Sequence, residues 1–350
     1  MVSDCHVSIK CINIQAYANN QHKIAEEMLT NPFLKAMSIC EGTVSILDTG
    51  CVVYSRIWCI FELFKSVMGG NSNYEFDVYT EIDGDKAVGI THGCTSRDKN
   101  SSAKKSRESK FPLDRILQAT NVDIKHAQAS VESDRRFILN TITGQSVDDV
   151  VMDDHTNYDE LNNILRGIFV TSALERIIQE KDVDTITRCL DIVQAYNANV
   201  IILDLQYCSK FNDNILLKLT DSLPLSLTEF TLISRGSKVT GNGVNACLGK
   251  LMKYPKLSSL DLTWNNIGDD GAKLIADALK DNHSVETLYL MHNNIGIDGA
   301  KLIVDALKIN HSLKILDFFG NKIGIDGKGY LLKLEQELKD TDHRDIKITC

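Results

Sequence analysis

The residues of this chain with the most capacity for chemistry lie in one short run, Ser55-Arg56-Ile57-Trp58-Cys59-Ile60-Phe61-Glu62-Leu63. It brings a thiol, a carboxylate and an indole within about two helical turns. Glu62 stands four residues after Trp58 and three before Lys65. Read from the residues alone, Glu62 lies off the apolar stripe of a helix and either pairs with Lys65 or caps a surface. Trp58 and Cys59 are then structural, buried where the helix meets a sheet. Other chemistry is thin. The ten cysteines include no C-x-x-C pair. Cys5, His6 and Cys11 lie close together, as do His92 and Cys94, but neither set completes a four-ligand site, so no metal is expected. There is no glycine-rich dinucleotide fingerprint, phosphate loop, nucleophile elbow, zinc-protease helix or kinase set, and no cofactor is expected.

The elements that must position this run alternate between the two periodicities. Residues 7–17 and 43–48 read as strands, and 21–40 as one or two helices with Pro32 as a start signal. Residues 55–68 read as a helix with Ile57, Ile60, Phe61, Phe64, Val67 and Met68 on one stripe, ended by Gly69-Gly70. Residues 76–82 follow as a strand. Strands alternating with helices predict a small parallel α/β sheet. Residues 95–110 are polar and basic and read as a flexible loop. Helices are predicted over 111–120 and 130–142. An acidic stretch from Asp148 to Glu160 reads as a linker, followed by a helix over 158–179 that caps what comes next. The first strand begins close to Met1, the pattern expected of a truncated start.

With PFLKAM and TVSILD upstream, the match at Ser55, Trp58, Cys59, Glu62 and Leu63 resembles the middle of Toll/interleukin-1-receptor (TIR) domains. Their pattern is helix, apolar strand, loop, then S-x-W-C-x-x-E-L opening a helix. The N-terminal half is also similar to a domain of proteins from unicellular eukaryotes that often precedes leucine-rich repeats. In TIR domains that hydrolyse NAD, the glutamate of this motif is catalytic. The resemblance therefore implies that Glu62 would engage the nicotinamide ribose and stabilise oxocarbenium-like charge, with NAD as a substrate.

The C-terminal half repeats itself every 28 residues. LSSLDLTWNNIGDDGAKLIADAL, VETLYLMHNNIGIDGAKLIVDAL and LKILDFFGNKIGIDGKGYLLKLE place Leu260, Leu288 and Leu316 in register, as they do Asn265, Asn293 and Asn321. Each copy reads as a short strand whose leucines point inward, an asparagine at the bend, then an amphipathic helix. No copy can bury its apolar face alone, so neighbours must stack. The pattern resembles the ribonuclease-inhibitor-like class of leucine-rich repeats. Weaker copies precede it. VIILDLQYC aligns Leu203 with Leu260 and puts Cys208 at the asparagine position. LTEFTLISR aligns Phe230 with Leu260 and puts Arg235 there. Cys208, Asn265, Asn293 and Asn321 are the expected structural ladder. Asp345 to Cys350 reads as a closing strand.

The expected fold class is α/β: a small parallel-sheet TIR-like domain at 1–144, an acidic linker and capping helix at 145–183, and a leucine-rich-repeat horseshoe at 184–350. Its concave face would present Asp204, Asp261 and Asp317 in one column, with Thr263, Trp264, Tyr289, Met291 and Phe319. This mixture suits a protein partner with a basic surface. Net charge is −9, which argues against nonspecific nucleic-acid binding. The absence of a long apolar run argues against a membrane span, and scattered cysteines fit the cytoplasm. The function expected is protein binding in a scaffold or signalling role, with self-association through the N-terminal domain. The alternatives are NAD hydrolysis through Glu62 and GTPase activation of the Ran type. The latter would want an exposed arginine such as Arg235 or Arg188. Ribonuclease inhibition is disfavoured by the small number of repeats.

Overall fold

The computed structural model describes residues 12–13, 42–68, 75–82, 86–91, 101–196, 198–342 and 346–350. The helices expected within 21–40 and the residues Cys5, His6, Cys11, His92 and Cys94 lie outside these. The chain divides into two compact units, Met1–Ala173 and Leu174–Cys350.

In the first unit, β1 (Ile12–Asn13), β2 (Gly42–Leu47) and β3 (Glu75–Ile82) pair in parallel. The sheet is not wholly parallel as expected. β4 (Lys86–Ile90) turns back on β3 in antiparallel register, Val78 opposite Ile90. The helix carrying the chemical run is α1 (Ile57–Met68). Its start is pinned from outside: Ile57 N donates to the Gln128 carbonyl (2.9 Å), and Gln128 N to the Ser55 carbonyl (2.7 Å).

The basic segment is not a loop throughout. Residues Ser101–Glu108 form helix α2. Its last turn works inward: Glu108 Oε1 accepts from Thr91 N (2.8 Å), and Arg107 donates to the Gly89 carbonyl (2.5 Å) and Thr91 Oγ1 (2.9 Å). These charged groups satisfy the open end of β4, a role that composition does not reveal. Helices α3 (Leu113–Ala119), α4 (Glu132–Thr143) and the long α5 (Thr156–Glu180) follow.

The second unit contains α6 (Val183–Tyr196) and a six-stranded all-parallel sheet. Its elements alternate as β5 (Val200–Asp204), α7 (Asp213–Asp221), β6 (Glu229–Ile233), α8 (Gly241–Leu251), β7 (Ser259–Asp261), α9 (Gly268–Leu279), β8 (Thr287–Tyr289), α10 (Ile297–Ala306), β9 (Ile315–Asp317), α11 (Gly324–Asp342) and β10 (Lys347–Thr349). Leu260, Leu288 and Leu316 pair in register and are fully buried, each worth roughly 2 kcal/mol of burial. The closing strand is present, with Ile346 and Ile348 inward.

Pairing corrects one sequence alignment. Ile201, not Leu203, lies opposite Phe230 and so in line with Leu260; Leu203 faces Leu232. The steps Ile201–Phe230 and Phe230–Leu260 are longer than 28 residues, and β5 and β6 have five residues where later strands have three. The extra strand length displaces the register by two.

Candidate functional site

Glu62 is buried, 8% exposed, contrary to the surface position expected. It forms no pair with Lys65, whose ammonium instead lies 5.2 Å from the Phe64 ring centroid and 5.4 Å from that of Phe61. Among the described residues Glu62 Oε1 has no hydrogen-bond partner. Burial pushes its carboxyl up to about 8, against a weaker opposing pull from Arg56. The neighbouring Cys59 thiol is pushed up to about 11 by burial, then by Glu62. Trp58 and Cys59 are only half-buried. Trp58 is held by α4 rather than by the sheet: its Nε1 donates to Asp134 Oδ2 (3.2 Å). Phe61 packs edge-on against Phe137 of α4 (6.4 Å). Ser55 Oγ donates to the Val52 carbonyl (2.7 Å) and belongs to the turn before α1.

In the second unit three asparagines stitch the repeats. Asn293 Oδ1 accepts from the backbone N–H of Asn265 (2.9 Å) and Ile267 (3.3 Å), while its Nδ2 donates to the carbonyls of Leu262 (2.7 Å) and Met291 (3.2 Å). Asn321 repeats this set on Asn293, Ile295, Leu290 and Phe318. At the other end Ser234 Oγ donates to Asn265 Oδ1 (2.6 Å). The ladder therefore runs Ser234–Asn265–Asn293–Asn321. Cys208 is buried but its thiol makes no such bond. A second asparagine pair lies where helix returns to strand. Asn282 donates to the Met252 carbonyl (2.7 Å), and Asn310 to the carbonyls of Leu279 (2.9 Å) and Asn282 (2.6 Å). Its signal was available as Asn-His-Ser at 282 and again at 310.

The residues proposed for a partner separate into two patches. Asp261, Tyr289 and Asp317 are adjacent in one row across β7, β8 and β9. Asp204 leaves the expected column, because its strand partner is Ile233 and the row of Asp261 continues through Thr231. Each aspartate closes its strand with an Oδ1 bond two residues on: to Gln206 N (3.3 Å), Thr263 N (2.9 Å) or Phe319 N (2.8 Å). Thr263 is buried and bonded to Asp261, so it offers nothing to a partner.

Trp264 and Phe319 belong to the second patch, on the turns after the strands. Trp264 stacks on His292 with centroids 3.9 Å apart and planes 8° from parallel. His292 meets Phe319 edge-on at 5.7 Å. The Arg235 guanidinium lies 4.1 Å from the Trp264 centroid. Met291 sits beside this stack and receives Trp264 N on its carbonyl (3.0 Å). Trp264 and His292 hold left-handed backbone (φ 63° and 53°), as does Tyr207 (φ 56°). For side chains of this size that conformation costs about 1 kcal/mol each, met here by the ladder of backbone bonds. Gly320 is required opposite His292: a Cβ would sit 2.3 Å from the imidazole. A recess of about 290 Å³ opens beside the stack. Arg235 and His292 were not recognised as a unit with Trp264, although Trp264 and His292 stand 28 residues apart, each just before a ladder asparagine.

The family model for leucine-rich repeats matches residues 255–276, 281–304 and 310–327, which hold β7, β8 and β9 with the turns and helices that follow them. The C-terminal region is a leucine-rich-repeat region. Leucine-rich repeats suggest a role in protein interaction. No curated protein matches the chain. Among solved structures, leiomodin-1 actin-binding site 2 is similar at 24% identity, over 35% of this chain and 70% of that one, with a TM-score of 0.31. Among the described residues no helix is long and apolar enough to cross a membrane. The residues matched by the leucine-rich-repeat model begin at 255, after β5 and β6.

Proposed function

We propose that the chain is a protein-binding scaffold or regulatory protein whose repeats take a partner on the concave strand face of a ribonuclease-inhibitor-like horseshoe. The observation that supports this best is the row Asp261–Tyr289–Asp317. Each aspartate uses Oδ1 in its own turn, and among the described residues Oδ2 of each has no partner. An aromatic ring flanked by two such carboxylates suits a basic side chain. The test is binding of a labelled octalysine peptide to the full-length chain. D261N/D317N is expected to weaken it about tenfold, since each lost charge pair in a partly screened site is worth of order 1 kcal/mol. Equal binding by wild type and double variant would remove this face from consideration.

A second reading is favoured by one observation, the buried carboxyl of Glu62, whose Oε1 has no hydrogen-bond partner among the described residues. The first unit is then a TIR-like module that cleaves NAD, rather than a regulatory or self-association module. With its carboxyl pushed up to about 8, Glu62 is mostly neutral at pH 7 and gains charge above pH 8. Turnover of NAD by the full-length chain is then expected to rise between pH 7 and 9 and to vanish in Glu62→Gln. Turnover retained in Glu62→Gln would exclude Glu62 as the catalyst.

A further inference from the structure

We propose that the rim carrying Arg235, Trp264 and His292 docks an acidic segment of a protein partner, with the Arg235 guanidinium receiving an aspartate or glutamate carboxylate. This deepens the protein-binding reading and rests on it.

Arg235 is exposed, and among the described residues its guanidinium has no ion pair or hydrogen bond. That is unexpected in a chain with 47 acidic residues against 38 basic ones. Its position on Trp264 holds the planar group ready. A guanidinium offers its N–H donors in a fixed fork that matches a carboxylate, and a stacked one has already lost much of the freedom that binding would remove.

The recess beside it has the matching chemistry. Its lining includes Asn266 and Asn294 as well as Arg235 and His292, and no aspartate or glutamate among the described residues. Asn294 Nδ2 donates to Asn266 Oδ1 (2.6 Å), and Asn266 Nδ2 itself has no acceptor among the described residues. The pocket thus combines a free cationic fork with a free amide donor. At about 290 Å³ it is at the small end for a ligand site and suits a side chain.

The stack also selects against a nucleic acid. Trp264 lies between the Arg235 guanidinium and the His292 ring, and the far side of His292 is closed by the Gly320 backbone. A nucleobase therefore finds no open indole face. The net charge of −9 repels a polyphosphate chain. Arginine and tryptophan are enriched among residues that dominate protein interfaces. The partner would present an acid to the rim and a base to the neighbouring row of Asp261 and Asp317.

The test uses the full-length chain and a fluorescein-labelled octaglutamate peptide at low salt, followed by anisotropy. Octalysine and an eight-residue thymidine oligonucleotide are run alongside. R235A is expected to weaken octaglutamate binding about tenfold, and R235K several-fold because an ammonium lacks the fork. Octalysine binding should not respond to either. In a W58F chain, octaglutamate should also alter Trp264 emission. Unchanged octaglutamate affinity in R235A overturns the proposal, as does oligonucleotide binding that depends on Arg235 while the peptide does not bind. If octalysine still depends on Asp261 and Asp317 in that case, only the rim proposal falls. Failure of both peptides removes the protein-binding reading as well.

Discussion

Asn293→Ala is expected to destabilise the repeat region by roughly 3–5 kcal/mol, enough to unfold it or leave it marginal. The side chain is fully buried and makes four hydrogen bonds, two as acceptor and two as donor. Alanine removes them all and leaves the N–H groups of Asn265 and Ile267 without a partner inside the protein. Each such orphaned group costs on the order of 1–3 kcal/mol, well above the net worth of an ordinary surface hydrogen bond. Water has little route in, because Leu262, Ile267, Leu290 and Ile295 are buried around it. Asn293→Asp should fare no better. It keeps an acceptor for the two N–H groups but turns an oxygen toward the carbonyls of Leu262 and Met291, and it buries a charge. Cys208→Ala should cost only about 1 kcal/mol, since that thiol carries no ladder bond. The chain has two tryptophans, so urea unfolding of a Trp58→Phe background followed by Trp264 emission reads this unit alone. An Asn293→Ala midpoint close to that of Cys208→Ala would show that the ladder is ornamental.

The ladder was legible because a turn that recurs at a fixed interval repeats its chemistry residue by residue, and Asn265, Asn293 and Asn321 stand out without a structure. The same logic misplaced Asp204. Its local role does repeat, an Oδ1 bond closing the strand, but the strand neighbour of Asp204 is set by the lengths of β5 and β6. A local pattern carries no information about a partner strand some thirty residues away. The rim was partly legible: Trp264 was visible, and so was its 28-residue spacing from His292. Arg235, which the repeat alignment puts at an asparagine position whose ladder bond Ser234 makes instead, signals nothing until its guanidinium is seen over the indole. β4 was overlooked because Lys86–Ile90 is short, and α2 because a basic sequence without apolar residues reads as solvated.

Glu62 illustrates the remaining gap. Helical periodicity assigns a residue to a side of its own helix, not to what covers that side. The apolar stripe of α1 accounts for Ile57, Ile60 and Phe61, and it places Glu62 outside. Leu63 and Ser66 are buried as well, so α1 is covered over most of its circumference, and Glu62 is enclosed with them. A pattern with one apolar face gives no warning that a second face will be packed.

That enclosure makes wild-type stability fall with rising pH in a way that Glu62→Gln should abolish. The folded carboxyl titrates at about 8, against an ordinary value of 4.5. Below pH 4.5 both states hold the proton, and Glu62 costs nothing by ionisation. Between 4.5 and about 8 the unfolded chain has given up its proton while the folded chain keeps it, so each step up in pH favours unfolding. Above 8 the folded state must ionise a buried group, and the full penalty is in place. It amounts to roughly 5 kcal/mol across the window. Glutamine has nearly the same shape and never ionises. The two proteins should therefore match near pH 4.5, and the variant should be the more stable by several kcal/mol at pH 9. Subtracting one pH profile from the other cancels every titrating group they share. Trp58 emission in a Trp264→Phe background confines the measurement to the first unit. A difference that stays flat from pH 5 to 9 would mean that Glu62 ionises freely in the folded chain. A difference that grows through this window would mean that Glu62 is kept protonated at neutral pH by its surroundings, and that any chemistry requiring its carboxylate must first overcome that burial.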